Sequence, residues 1–128
     1  MELYVTPNQA KVDNFAIYIN VSGCGSYKIT NPTPVAIKNR KFAFGGGFYA
    51  SGTFDSVTTA HGKAGLVDYY YIPGCGYIYG GSFSWTAFWM NSNQPFLLLS
   101  PDANATFAVL PALDPVLPNF PKVDAAQK

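Results

Sequence analysis

Residues 14–21, Asn14-Phe15-Ala16-Ile17-Tyr18-Ile19-Asn20-Val21, place Phe15, Ile17, Ile19 and Val21 on one side of an extended chain and Asn14, Ala16, Tyr18 and Asn20 on the other. That alternation is the pattern of a strand with one face buried. It recurs at Tyr27–Thr30, Lys41–Phe44, Phe48–Phe54, Ala64–Ile72, Tyr77–Tyr79, Ser82–Trp89 and Phe96–Leu99, and no segment shows sustained helical periodicity. Short strands separated by Gly, Pro, Asn and Ser clusters predict an all-β fold, an antiparallel β-sandwich of jelly-roll-like or Ig-like type. In Ser82–Trp89, Phe83, Trp85 and Trp89 form the expected core side, with Ser82, Ser84 and Thr86 facing solvent. The glycines at 45–47 and 80–81 serve as turns or bulges, and Asn31-Pro32-Thr33-Pro34 as a rigid connector.

The chain has 128 residues, 48% of them hydrophobic, which suits a single core and leaves little room for a second. Charged residues make up only 12%, about half the usual share, while aromatics reach 16%. A net charge of +1 supplies no basic field for nucleic acid or anionic lipid. No apolar run approaches the roughly 20 residues of a membrane helix. The start, MELYVTPNQAK, lacks the features of a signal peptide, so Met1 is either an ordinary start or the residue left after a leader is cleaved.

Cys24 and Cys75 occupy near-identical settings, Ser22-Gly23-Cys24-Gly25-Ser26 and Pro73-Gly74-Cys75-Gly76-Tyr77, and are expected to form a disulfide. Closing a loop of about 50 residues stabilises a fold by roughly 4 kcal/mol. The alternative is two unrelated buried thiols, the expectation for a reducing compartment.

Past Asn91-Ser92-Asn93-Gln94-Pro95 the chain changes character, with Phe96–Leu99 as one more strand before a proline-laced tail. The stretch NATFAVLPALDPVLPNFP, residues 104–121, carries Phe107, Val109, Leu110, Leu113, Val116, Leu117 and Phe120 and a single charge, Asp114. Prolines 111, 115, 118 and 121 exclude a continuous helix and disfavour a central strand beyond Leu110. The predicted organisation is one body, residues 1–100, with a short N-terminal arm containing Leu3, Tyr4 and Val5, and a C-terminal arm, residues 101–128. Each exposed apolar side chain would forgo about 1.5–3 kcal/mol, so the arms must be covered. They either fold back on their own body or cross to a neighbouring copy.

Chemistry-bearing residues are few. His61 reads as a hairpin-turn histidine; Ser51, Ser56, Asp55 and Asp68 are available to it without a nucleophile-elbow sequence. Asp55 and Asp68 would be the best pair for glycoside hydrolysis, and Asp55, Asp68 and Asp102 the weak candidates for calcium. The expectation is no enzyme, no cofactor and no metal. Tyr69, Tyr70, Tyr71, Tyr77 and Tyr79 put aromatic rings on both faces of neighbouring strands, a possible surface for glycan or protein. Asn20 and Asn104 lie in N-glycosylation patterns.

The set Phe48-Tyr49-Ala50-Ser51-Gly52-Thr53-Phe54-Asp55-Ser56, Thr59-Ala60-His61-Gly62, Gly74-Cys75-Gly76 and Ser84-Trp85-Thr86-Ala87 resembles small exported β-domains of bacteria, many of them thermophilic, over about residues 40–90. The resemblance implies export and β-architecture rather than an activity. Together these features predict a secreted, non-enzymatic structural subunit of a filament or surface layer, with copies of itself as partners. The alternatives are a secreted glycan-binding module, with cell-surface glycans as partners, and a virion decoration protein.

Overall fold

The computed structural model describes residues 1–56, 58–89, 97–99 and 104–110, and these contain no helix. Twelve strands are formed among them: β1 (Glu2–Val5), β2 (Lys11–Val21), β3 (Gly25–Asn31), β4 (Val35–Ala36), β5 (Lys41–Phe44), β6 (Phe48–Ser56), β7 (Thr59–Leu66), β8 (Tyr70–Ile72), β9 (Gly76–Ile78), β10 (Gly81–Trp89), β11 (Leu97–Leu99) and β12 (Asn104–Phe107). The architecture is all-β, as expected, and antiparallel except for β12, which runs parallel to β2. Ten strands share one hydrogen-bonded sheet, eight of them in the order β12-β2-β1-β11-β10-β7-β6-β5 and β3 and β4 both pairing with β2, while β8 and β9 form a separate ribbon.

Strand β2 is the pivot. Ala16 pairs with Glu2 of β1 and with Thr30 of β3, so these neighbours occupy opposite edges. Asn104–Phe107 pairs with Tyr18–Val21, continuing the edge that β1 covers lower down, and β4 precedes β3 on the other edge. The alternation of residues 14–21 is realised: Phe15, Ile17, Ile19 and Val21 are all buried. The register slips between Glu2 and Tyr4, opposite Asn14, whose φ of 48° is left-handed, the signature of a bulge that strengthens the local bend.

The sheet curls until its far end meets β2 again. A tight turn with Asn39 and Arg40 both at positive φ (52° and 64°) joins Lys38 to Lys41 and carries the chain from β4 into β5. Phe15 of β2 then touches Phe42 and Phe44 of β5, Phe48 of β6 and Trp85 of β10, with ring centroids 5.5–6.1 Å apart in tilted or edge-on arrangements. Such geometry matches the positive edge of one ring to the negative face of the next. Gly52 permits this packing, since a Cβ built there would lie 2.7 Å from the Trp85 ring.

Four expectations are corrected. Trp89, expected on the core side of β10, is 40% exposed. The N-terminal segment is no arm: β1 sits inside the sheet with β2 on one side and β11 on the other, and Leu3 and Val5 are buried in the chain's own core. The body does not end near residue 100, because Phe107 is buried and Ala105 and Val109 pack against the same core. The span Ala64–Ile72 is two strands, broken at Val67–Tyr69, where Tyr69 takes a φ of 65° and the Gly80 N–H donates to Asp68 Oδ1 at 2.8 Å.

Candidate functional site

The features most suggestive of function gather on the β8–β9 ribbon. Its register sets Tyr70 opposite Ile78, Tyr71 opposite Tyr77 and Ile72 opposite Gly76. Successive side chains point to opposite faces. Ile72 and Ile78 are buried, so the inner face carries Tyr70, Ile72 and Ile78 and the outer face Tyr71 and Tyr77. The segment after β12 adds a third line of backbone: Ile78 bridges Val109, the Tyr79 N–H donates to the Ala108 carbonyl at 3.0 Å, and the Leu110 N–H to the Tyr77 carbonyl at 2.9 Å. Tyr69, whose N–H donates to the Ile78 carbonyl, enters the ribbon beside Tyr79.

The outer surface therefore holds two rows, Tyr71–Tyr77–Leu110 and Tyr69–Tyr79–Ala108, about 7 Å apart along the strands. The Tyr71 and Tyr77 rings lie 5.2 Å apart. Exposure of 60% at Tyr69, 54% at Tyr71, 46% at Tyr79 and 38% at Tyr77 makes this an aromatic platform open to solvent. Tyr70, expected to share it, faces inward; its half-buried ring lies 3.3 Å from where a Cβ on Gly47 would stand. Desolvation raises its phenol pKa above the ordinary 10.0.

The platform is fixed to the body at both ends of its support. Cys24 and Cys75 form the expected disulfide, with their Cα atoms 5.9 Å apart. The two cysteines occupy the same turn twice over. In each, the cysteine N–H donates back to a strand-end carbonyl at 2.9 Å, Cys24 to Val21 and Cys75 to Ile72. Gly23 and Gly74 both have φ of 83°, while Gly25 and Gly76 have 113° and 116°. These values lie where a side chain is strained, which accounts for the repeated Gly-Cys-Gly. The Ser22 N–H beside the disulfide donates to the Phe107 carbonyl at 3.0 Å, so residues 104–110 stitch the β2–β3 hairpin to the ribbon.

The remaining candidate residues are dispersed. His61 stands on β7, two residues beyond the turn that ends at Thr59, rather than in it; its Nδ1 lies 2.8 Å from Asp55 Oδ2, with both side chains about half exposed. Asp55 and Asp68 do not meet, because they flank opposite ends of β7, about 20 Å of strand apart. Among the described residues no three His, Cys, Asp or Glu side chains gather around a common point. Asp102 lies outside the described residues. Asn20 is exposed on β2 and accepts a hydrogen bond from Ser26 Oγ at 2.7 Å, while Asn104 enters only through its backbone pairing with Tyr18. Among the described residues no helix is long and apolar enough to cross a membrane.

The residues expected at a subunit interface divide in three. Leu3, Val5 and Phe107 are core residues of this chain and present nothing to a neighbour; this corrects the expectation, and the reason is that both terminal strands find open backbone on β2. Tyr4, Val109 and Leu110 are half-buried. Leu113, Val116, Leu117 and Phe120 lie outside the described residues. Sequence reading missed that residues 107–110 complete the tyrosine surface; the only signal was that Ala108 and Leu110 alternate with Phe107 and Val109. Compared with protein-family models, with curated proteins and with solved structures, the chain matches none.

Proposed function

We propose that the protein is an exported, non-enzymatic β-domain that binds carbohydrate on the face formed by Tyr69, Tyr71, Tyr77 and Tyr79. The observation that carries this reading is the Tyr71–Tyr77 ring pair, exposed and held on a ribbon tied down by Cys24–Cys75. Tyrosine offers a rigid apolar ring with a polar tip and few torsions to freeze on binding. Such a surface suits a sugar, whose ring faces are C–H rich and whose rim is hydroxyl. The low charge of the chain favours a neutral glycan over an acidic one. The disulfide supports an oxidising location.

Retention on a panel of neutral polysaccharides tests it. Tyr71→Ala combined with Tyr77→Ala should weaken binding to the retained polymer at least tenfold and leave the circular dichroism unchanged, while Tyr18→Ala, on β2, should bind normally. Undiminished binding by the double variant, or retention on no polysaccharide in the panel, sinks the reading.

A further inference from the structure

An open groove of about 590 Å³ runs between the connector Thr30–Ala36 and the β5–β6 hairpin. Small-molecule sites commonly measure about 300–1,000 Å³. Phe44, Phe48 and Tyr70 line the groove together with Thr30, Asn31 and Thr33, and no charged residue is among those lining it. Phe44 and Phe48 stand edge to face with centroids 5.2 Å apart, and Phe15 backs the two rings at 5.5 and 6.1 Å, so the aromatic wall is held from behind. Tyr70 is the inward tyrosine of the ribbon, so the groove is separate from the exposed platform.

We propose that this groove is a second binding site, for a short neutral saccharide. Its polar groups lack partners within the protein. Asn31 Oδ1 accepts the Thr33 N–H at 3.1 Å, which closes a turn around Pro32 and leaves the amide N–H groups of the Asn31 side chain unpaired among the described residues. The hydroxyls of Thr30, Thr33 and Tyr70 likewise make no hydrogen bond among the described residues. A purely apolar ligand would take these groups out of water without pairing them, and an ion would lose its hydration with no counter-charge in the groove. A saccharide satisfies both requirements, since its C–H rich ring face stacks on the aromatic wall while its hydroxyl rim meets the amide and the hydroxyls.

Little has to be ordered on binding. Thr30 and Asn31 end β3, paired with Ala16 and Phe15 of β2, and Pro32 and Pro34 fix the backbone that follows. The facing wall is the β5–β6 hairpin, where Phe44 pairs with Ala50. A site already held in place loses little entropy when it is filled. Tyr71 points to the other side of β8 from Tyr70, so the groove fills or stays empty independently of the platform.

The test is titration of the full, isotope-labelled chain with maltotriose, cellotriose and xylotriose, followed by NMR. With at least one of them, amide shifts are expected within residues 30–36 and 43–48. Thr33→Val combined with Tyr70→Phe removes two hydroxyls and little shape, and should weaken that binding at least about fivefold. Thr33→Val alone, on the exposed connector, should weaken it in the same direction. Tyr71→Ala with Tyr77→Ala should leave the groove shifts unchanged, which separates failure of the platform reading from failure of this one. Shifts absent with all three sugars, shifts confined to Tyr69, Tyr71, Tyr77 and Tyr79, or binding undiminished in the Thr33→Val, Tyr70→Phe variant overturn the proposal.

Discussion

The molecule holds two aromatic clusters of opposite character. Around Phe15 the rings of Phe42, Phe44, Phe48 and Trp85 interlock in the curl of the main sheet, while Tyr69, Tyr71, Tyr77 and Tyr79 stand in solvent on the ribbon. The difference is one of polar tips. A phenol buried among phenylalanines would need an acceptor that the cluster does not contain, so phenylalanine goes inside and tyrosine outside. Trp85 is the exception, since its buried Nε1–H has no hydrogen-bond partner among the described residues. The inner cluster lies in the core, and the outer one stays open to solvent.

Trp85→Ala should break the inner cluster with the largest effect, about 3–5 kcal/mol in urea unfolding, because it removes the ring that faces Phe15 and Phe42 and leaves a cavity over Gly52. Trp85→Phe should cost much less, since the unpaired N–H goes with the lost volume. Equal costs would mean the indole N–H does have a partner. Removing the disulfide by Cys24→Ser with Cys75→Ser should cost about 4 kcal/mol for a sequence separation of 51. Hydrogen exchange should then show the amides of β8 and β9 losing protection before those of β6 and β7, since among the described residues the ribbon's backbone pairs outside itself with Ala108, Val109 and Leu110. Simultaneous loss would erase the distinction between the two regions. Tyr71→Ala with Tyr77→Ala should cost less than about 1 kcal/mol, the worth of one exposed cross-strand pair.

The inner cluster was largely legible in the sequence. Alternation alone placed Phe15, Ile17, Ile19 and Val21 inside, and the matched Gly-Cys-Gly turns announced the disulfide. Topology was not legible, because an apolar strand such as Leu3-Tyr4-Val5 reads the same whether it lies in the middle of its own sheet or in a neighbour's. The break at Val67-Asp68-Tyr69 carries no glycine or proline, and only the tertiary contact of Asp68 with Gly80 reveals it. For the same reason the face that Tyr70 takes is not legible from the sequence. The phase of β8 depends on where β7 ends, and a shift of one residue exchanges the two faces.

Tyr18 tests whether exposure alone defines the outer cluster. It is 37% exposed, as open as Tyr77, yet its hydroxyl donates to Glu2 Oε1 at 2.8 Å and Lys28 Nζ lies 5.6 Å from its ring centroid and 3.1 Å from Glu2 Oε2. It belongs to a polar knot that ties β1, β2 and β3 together. The bond to Glu2 raises the Tyr18 pKa above the ordinary 10.0, and the same carboxylate raises Lys28 above 10.5. Both groups hold their protons more tightly when folded, so the stabilisation is complete below pH 10 and is lost as the pH rises through the raised values. Glu2→Gln should therefore lower stability at pH 7 by less than about 1 kcal/mol, because Lys28 is half exposed and screened even though the Glu2 side chain is only 14% exposed. The gap between variant and parent should close in melts taken at increasing pH above 10. A gap that persists unchanged at high pH would show that Glu2 acts by packing rather than through these protons.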